Sequence, residues 1–147
     1  MWKQKTISLK KRSAGCYLVT DEIVSQVPEL REFKVGMANI FLQHTSAALT
    51  LNENWDTDVR ADMKDALDGL APRDDDEHRK GKPGLYRHDD EGPDDMPAHI
   101  KSSLIGASLN IPVKDGALGL GTWQGIWLCE FRDRAHSRRV VVTIQGE

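Results

Sequence analysis

The sequence lacks the features that mark disulfide-rich proteins and membrane proteins. It contains only two cysteines among 147 residues. Cys16 and Cys129 lie far apart and neither has a CxxC partner, so we predict buried thiols rather than a disulfide. No apolar run approaches the roughly 20 residues that a membrane-spanning helix needs. Residues 1–15 have no apolar core of the kind found in secretory signals, and we therefore expect a cytoplasmic protein without membrane attachment.

A basic bias is absent as well. The formal net charge is -3 and the pI is about 5.9, which argues against a general nucleic-acid-binding protein. Hydrophobic residues make up 39% of the chain and charged residues 29%, proportions that are typical of a soluble globular domain. A chain of this length buries enough surface to fold without a disulfide or a metal. We expect a single domain over residues 1–147.

The patterning of apolar residues predicts an α+β domain with largely antiparallel strands. A turn is expected near Thr45 and Ser46, and Asp115–Gly116 between alternating apolar residues predicts a hairpin. Five segments have the alternating or continuous apolar pattern of strands: residues 3–10, 36–54, 109–121, 122–131 and 137–145.

Two helices are predicted in the first half of the chain. Thr20 is a plausible N-cap for the first helix, and Pro28 weakens or bends its end. The clearest helix covers residues 56–72, with Asn54 or Asp56 as its cap. Its apolar residues share one stripe at helical spacing: Val59, Met63, Leu67 and Leu70.

A long polar loop precedes the third predicted helix. Residues 73–95 contain no apolar run, and a loop of this length in a compact domain is usually functional or mobile. Asp95 is the expected N-cap of the helix that follows, with Ile100 and Leu104 pointing inward. The acidic segment 89–95 could hold a hard cation through clustered carboxylates. The favoured alternative is a solvated turn that ends in the helix cap.

The histidines of this sequence form no local ligand pattern such as HxxxH. His44 ends an apolar strand, His88 lies in the polar loop and His99 falls one turn into the third helix. The fold would therefore have to assemble any shared site. Three histidines with one open position make a catalytic type of zinc site, and Asp94 or Asp95 could orient the imidazoles. The alternative is that His44 is a hydrogen-bonded core residue and the others are solvated.

Hydroxyl, tryptophan and arginine side chains offer further candidates, each with a structural alternative. Thr45 and Ser46 could donate to a phosphate, and a serine nucleophile is disfavoured because no GxSxG motif is present. Trp123 and Trp127 could stack on a heteroaromatic ligand, although core packing is the commoner use. An arginine cluster near the C-terminus suits phosphates or a charged strand edge equally well.

Four motifs together resemble those of the YjbQ family. They are "HTSAALTLNEN", "DDMPAHIKSSL", "IPVKDGALGLGTWQGIWLCEFR" and "RRVVVTIQGE", in this order. The resemblance runs from Met1 to Glu147, and residues 73–84 look the most variable. It implies a largely antiparallel β-sandwich or half-barrel with two or three packed helices. It also implies a homotrimer with a site near the subunit boundaries, where a divalent metal, commonly zinc, is held by His44, His88 and His99.

The resemblance further implies a reaction. Proteins similar to this one are named secondary thiamine-phosphate synthases, which join hydroxymethylpyrimidine pyrophosphate to thiazole phosphate and release pyrophosphate. The expected function is such a transferase with weak or secondary activity; the alternative is a trimer that binds a metal or a small phosphorylated heteroaromatic ligand without this activity. Mg²⁺ is possible as a second cofactor with the pyrophosphate substrate. The resemblance suggests Glu53 and Glu130 as acid/base groups, and the expected substrate-binding residues are Thr45, Ser46, Lys101, Ser102, Trp123 and Arg132.

Overall fold

The computed structural model describes residues 1–147, apart from the side chain of Asp76. Eight strands and four α-helices are formed by these residues, and a short 3₁₀ helix follows the first α-helix. In chain order they are β1 (Trp2–Ser8), β2 (Gly15–Leu18), α1 (Thr20–Ser25), the 3₁₀ helix (Pro28–Glu32), β3 (Val35–Leu42), β4 (Ala47–Glu53), α2 (Thr57–Leu70), α3 (Asp76–Arg79), α4 (Asp95–Ile105), β5 (Ser108–Lys114), β6 (Ala117–Leu118), β7 (Gln124–Glu130) and β8 (Arg139–Gly146).

The strands form two antiparallel sheets. The larger sheet has the order β1-β8-β3-β5-β6, and the smaller has the order β2-β7-β4. Alternate residues of the strands point into one apolar core between the sheets, as period-two patterning requires. The architecture is a curled antiparallel half-barrel with packed helices, which confirms the α+β class predicted from the sequence.

The smaller sheet is buried on both faces, which explains the continuous apolar run in β7. Ile126 and Leu128 contribute to the core between the sheets. Trp127 and Cys129 point the other way and pack in a second cluster with Leu67 of α2 and residues of α4. A strand covered on both faces needs apolar residues at every position. This second cluster attaches α4 to the sheet.

Helix α2 confirms the strongest helix prediction. It covers Thr57–Leu70, and Asp56 caps it by accepting a 2.9 Å hydrogen bond from the backbone N–H of Asp58. Leu67 is buried, whereas Leu70 is 69% exposed, so the inward stripe ends one turn earlier than predicted. The predicted turn at Thr45–Ser46 and the Asp115–Gly116 hairpin are also present.

The first helix is shorter than the sequence predicted. Residues Gly15–Leu18 form strand β2, α1 ends at Ser25, and Pro28 starts a separate 3₁₀ helix. Val19 is the N-cap and Thr20 is the first helical residue. The Thr20 hydroxyl does not cap the helix but accepts from the backbone N–H of Ile126 at 2.8 Å.

The third predicted helix also departs from the expectation. The N-cap of α4 is Asp94, and Asp95 is already helical. Leu104 is 62% exposed, because the buried face of α4 is formed instead by Asp95, Pro97, Ala98, Lys101 and Ser102. In the polar loop before it, residues 76–79 form the short helix α3. None of the helices described is long and apolar enough to cross a membrane.

Candidate functional site

A buried carboxylate lies between two imidazoles at the start of α4. One Asp95 carboxylate oxygen, Oδ2, lies 2.7 Å from Nε2 of His88 and 3.2 Å from Nε2 of His99. Asp95 is 1% exposed. His99 follows Asp95 by four residues, so both side chains lie on one face of the helix, and His88 reaches them from the preceding loop. The structure therefore brings two of the three predicted histidines together.

The three ligand atoms of this group are close enough to bind one ion. They lie within 4.8 Å of one another, and among the described side chains no other group of three or more His, Cys, Asp or Glu residues is this compact. The two imidazole ring centroids are 5.5 Å apart. Two imidazole nitrogens and one carboxylate oxygen form a donor set that zinc and other transition metals accept.

A backbone carbonyl fixes the protonation of the His99 ring. Nδ1 of His99 lies 2.8 Å from the carbonyl oxygen of Thr45. A carbonyl only accepts hydrogen bonds, so Nδ1 carries a proton and donates. In the neutral ring, Nε2 then has a lone pair that faces the Asp95 carboxylate. Two acceptors this close repel each other unless a proton or a cation lies between them. Orientation of a ligand histidine through its other nitrogen is typical of metal sites.

Arg132 holds the acidic start of α4 in place. Its Nη1 donates to Oδ1 of Asp95 at 2.7 Å, its Nε donates to Oδ2 of Asp94 at 3.0 Å, and its Nη2 donates to the carbonyl of Glu91 at 2.9 Å. The Asp94 carboxylate also accepts from the backbone N–H of Asp133 at 2.9 Å. These bonds leave Asp95 Oδ2 directed at the imidazoles. The guanidinium of Arg132 thus positions Asp95, and the substrate-binding role predicted for Arg132 stays a prediction.

The charges around Asp95 keep its carboxyl group ionised. Burial is the largest influence and by itself raises the pKa of Asp95. The hydrogen bond from His88, the charge that His99 carries when its ring is protonated and the charge of Arg132 outweigh it, so that the pKa lies below the usual value. Burial likewise raises the pKa of Asp94, and its bonds to Asp133 and Arg132 lower it below its usual range. An anionic Asp95 is the form that a cation requires.

His44 lies outside the group formed by His88, Asp95 and His99. It is on the turn between β3 and β4, where its Nε2 accepts a 2.8 Å hydrogen bond from the backbone N–H of Arg139. Burial lowers the pKa of His44, and the positive charges of Arg138 and Arg139 lower it further, so the ring is favoured in its neutral form. This arrangement resembles the hydrogen-bonded alternative considered for His44. Its role as a third ligand stays a prediction.

Glu130 is part of a buried ion pair. It is 1% exposed and Arg138 is 3% exposed. Arg138 donates from Nε and Nη2 to the two oxygens of Glu130, each at 2.5 Å, and its Nη2 also donates to the hydroxyl of Ser46 at 2.9 Å. The pair therefore fastens the turn that carries His44, Thr45 and Ser46. Glu130 therefore stabilises this turn through Arg138. The acid/base role predicted for Glu130 stays a prediction.

Glu53 lies at the opposite end of β4 from this turn. Its Oε1 accepts from the backbone N–H groups of Trp55 at 2.5 Å and Asp56 at 3.1 Å, so it organises the entry to α2. Seven strand residues span about 20 Å at roughly 3.3 Å per residue. The two carboxylates predicted to be catalytic are therefore at opposite ends of the smaller sheet.

The remaining predicted substrate residues are divided between the interior and the surface. Lys101 is 5% exposed, pairs with Asp68 at 2.6 Å, and lies 5.0 Å above the ring of Phe131. Ser102 donates to the carbonyl of Ala47 at 2.7 Å and thereby joins α4 to β4. Trp123 is 62% exposed. Thr45 is exposed and Ser46 is buried, so Thr45 and Trp123 are the accessible members of the set.

Comparison with known proteins identifies the family. The family model described as UPF0047 protein YjbQ-like matches residues 5–147. This chain belongs to the UPF0047 family. It is 49% identical over 147 residues to UPF0047 protein YjbQ of Escherichia coli O157:H7, covering 100% of both chains. It is 39% identical over 132 residues to UPF0047 protein YugU of Bacillus subtilis strain 168, covering 86% of this chain and 91% of that protein.

A crystal structure from the same family matches the UPF0047 fold described above. It comes from Clostridium acetobutylicum and belongs to the YjbQ/UPF0047 family. It superimposes with a TM-score of 0.78 at 37% sequence identity, covering 96% of this chain and 99% of that chain. The match confirms the family that the four sequence motifs indicated, and it confirms the fold.

Proposed function

We propose that this UPF0047 protein is a divalent-metal-dependent transferase that joins hydroxymethylpyrimidine pyrophosphate to thiazole phosphate. The observation that supports metal dependence is the buried Asp95 carboxylate facing Nε2 of His88 and His99, while Thr45 holds the proton of His99 on Nδ1. The reaction itself comes from the resemblance of the sequence motifs. The proposal includes a cytoplasmic location, where the reduced thiols of Cys16 and Cys129 are the resting form.

The donor set suits a transition metal better than magnesium. Imidazole ligands favour Zn²⁺ and related ions, whereas Mg²⁺ prefers oxygen ligands. His88, Asp95 and His99 would hold the ion and leave open positions. A divalent ion held there would supply a Lewis acid that stabilises the negative charge on the departing pyrophosphate. Mg²⁺ would enter as a complex with the pyrophosphate substrate.

The residues of the chain perform the positioning. Arg132 holds Asp95 through the fork of its guanidinium group, and the carbonyl of Thr45 holds the ring of His99. Trp123 lies beside Asn54 at the Glu53 end of the smaller sheet, about 20 Å from the turn that contacts His99 at roughly 3.3 Å per strand residue. It would therefore offer its aromatic face to the pyrimidine cation from a neighbouring subunit of the trimer. Each of these roles is separately testable by substitution.

The experiment measures zinc content and turnover on the same protein samples. We expect the protein to bind zinc and to release pyrophosphate from the two substrates, and both properties to be lost in Asp95→Asn and His99→Ala. His78→Ala is the matched control, because His78 is exposed and forms a histidine–carboxylate pair with Asp75 at 2.6 Å outside the site. Elemental analysis and a pyrophosphate assay give the two measurements.

The possible outcomes separate the proposed enzyme from its alternative. Zinc binding with kcat/KM far below the roughly 10⁴ M⁻¹s⁻¹ of ordinary enzymes would favour the metal-binding or phosphate-ligand-binding protein without this activity. Full zinc content in both Asp95→Asn and His99→Ala would refute the metal site. Loss of zinc in His78→Ala as well would show that folding, and not ligation, had been disturbed.

We also propose a homotrimer that uses the outer face of the larger sheet. This face carries several exposed apolar side chains: Trp2 at 65%, Met37 at 47% and Phe41 at 44% exposure. Met37 and Phe41 are four residues apart on the same face of β3. Trp2 of β1 and Met37 of β3 are both paired with Gln145 of β8, one on each side of it. A sheet face of this kind suits burial against another copy of the chain. The number three comes from the family resemblance.

The trimer predicts a specific mass and a specific way to reduce it. Light scattering should give three times the 16.5 kDa chain mass, and Met37→Asp with Phe41→Asp should shift it toward a single chain because charges at the contact cost desolvation. Leu70→Asp, at an exposed position of α2, should leave the mass unchanged. A single-chain mass for the unmodified protein would contradict the trimer, and dissociation by Leu70→Asp alone would contradict the assigned face.

A further inference from the structure

The two cysteines, far apart in the sequence, are neighbours in the fold. Cys16 of β2 and Cys129 of β7 are directly opposed in the strand register. Their sulfur atoms lie 3.7 Å apart, and both thiols are free. The UPF0047 site described above uses neither sulfur. Two thiols in contact across adjacent strands raise the question of what oxidation would do to them.

The strand register is compatible with a disulfide. The backbone N–H of Val19 bonds to the carbonyl of Ile126. Hydrogen-bonded and non-hydrogen-bonded pairs alternate along an antiparallel ladder, so three positions farther along, Cys16 and Cys129 form a non-hydrogen-bonded pair. Cα atoms in such pairs are about 4.5 Å apart, within the 4.4–6.8 Å range of disulfides. Side-chain rotation can therefore bring the sulfurs together with little movement of the backbone.

The surroundings give the two sulfurs different reactivity. Cys16 is half-buried, whereas Cys129 is completely buried. The hydrogen bond between the two sulfurs lowers the pKa of the Cys16 thiol, burial partly offsets this, and the charge of Lys64 lowers it again. The contact with Cys16 and burial both raise the pKa of Cys129. A thiolate attacks oxidants faster than a thiol does, so Cys16 is the sulfur that reacts first.

We propose that Cys16 and Cys129 are an oxidation site that a hydroperoxide converts into a reversible cross-strand disulfide. The Cys16 thiolate attacks one oxygen of hydrogen peroxide, the O–O bond breaks, and Cys16 becomes a sulfenic acid. The other oxygen leaves as hydroxide and takes up the proton lost from the Cys16 thiol, which gives the first water. The Cys129 sulfur then attacks the Cys16 sulfur, the S–O bond breaks, and the hydroxide leaves as water with the thiol proton. In total two thiols and one hydrogen peroxide give one disulfide and two waters, and the thiols supply the two electrons.

The position of the pair within the fold keeps the product intramolecular. Cys16 and Cys129 pack in the second apolar cluster beneath Ala98 of α4 and Leu67 of α2. A second protein molecule has no access to the buried Cys129 sulfur, so the sulfenic acid of Cys16 meets Cys129 first. A thiol reductant that attacks the half-buried Cys16 sulfur reverses the bond.

The test treats the reduced, folded protein with hydrogen peroxide and maps the peptides without a reductant. We expect loss of both free thiols, loss of two hydrogen atoms from the intact mass, and a linked pair of tryptic peptides, residues 13–31 with residues 115–132. Dithiothreitol should restore both thiols. Two free thiols after treatment, or a linked pair that appears only between chains, would overturn the proposal.

Single substitutions test which of the two cysteines is oxidised first. In Cys129→Ser, Cys16 should stop at the sulfenic acid and be labelled by dimedone. In Cys16→Ser, the buried Cys129 should remain a free thiol under the same treatment. Labelling of Cys129 in Cys16→Ser at the rate seen for Cys16 in Cys129→Ser would contradict the assigned roles. The peptide map of the unmodified protein tests the disulfide even where a variant folds poorly.

Discussion

Glu130→Gln is expected to lower the free energy of unfolding by about 3–5 kcal/mol, the range found when one partner of a buried ion pair is removed. The substitution leaves the guanidinium of Arg138 buried without its counter-ion. Side-chain exposure is 4% for Arg138 and 0% for Glu130, so water cannot replace the lost carboxylate. Urea unfolding followed by tryptophan fluorescence measures the change, since Trp127 is buried in the sheet that carries Glu130.

Two further variants show whether the effect comes from the unpaired charge. Arg139→Gln changes an exposed neighbour of Arg138 and should alter stability by less than about 0.5 kcal/mol. Replacing both partners together, as Glu130→Met with Arg138→Met, removes the unpaired charge and should recover part of the loss, because apolar replacement of a buried pair is often neutral. A Glu130→Gln protein within about 1 kcal/mol of the parent would contradict the structural task assigned to this pair.

The same variant also tests the catalytic role predicted for Glu130. If Glu130 is an acid/base group, Glu130→Gln should lose turnover while keeping its stability and its zinc. If the ion pair fastens the turn at Thr45 and Ser46, stability should fall and turnover should fall only as the folded fraction falls. The structure favours the second result, because Glu130 Oε1 and Oε2 already accept from Arg138 and the backbone N–H of Arg132.

The second large effect is expected at Arg132. Arg132→Lys should weaken zinc binding by about 10–100-fold, as is typical when a group that orients a metal ligand is changed. Lysine keeps the positive charge but lacks the planar fork that contacts Asp94, Asp95 and the carbonyl of Glu91 together. Competition with a chelator of known affinity measures the dissociation constant.

The control for this experiment is the neighbouring Arg134→Lys, at an exposed position. It should bind zinc as the parent does. If Arg132 instead contacts substrate, as the sequence suggested, Arg132→Lys would raise KM and leave the zinc dissociation constant unchanged. That outcome would overturn the positioning role.

The sequence predicted those features that depend on local patterning. The turn at Thr45–Ser46, helix α2 with its cap Asp56, and the Asp115–Gly116 hairpin follow from short-range preferences and are all present. Strand β2 was missed because its four residues lie directly before the N-terminus of α1 and carry too short an alternating pattern. Local preference is a weak guide where tertiary contacts compete with it.

The sequence predicted only part of the candidate site, because local patterns do not show contacts between residues that are far apart in the chain. Asp is a favoured N-cap residue, and this preference predicted Asp95 in that role, whereas the observed N-cap is Asp94. Arg132 lies 37 residues further along the chain, so the sequence around Asp95 gives no sign of the hydrogen bond between them. A usable signal was nevertheless present, since Asp95 and His99 are four residues apart on a predicted helix and must share a face. The bond from Arg139 to His44 spans 95 residues and has no comparable local signal.

The oxygen that accepts the hydrogen bond from His99 belongs to the main chain of residue 45, and this has an evolutionary consequence. A main-chain acceptor survives any side-chain replacement that preserves the path of the turn, so the threonine at this position is free to vary among relatives without releasing the ring. Insertion or deletion of one residue between β3 and β4 would move that oxygen away. Selection on this segment should therefore act on its length more strongly than on the identity of residue 45.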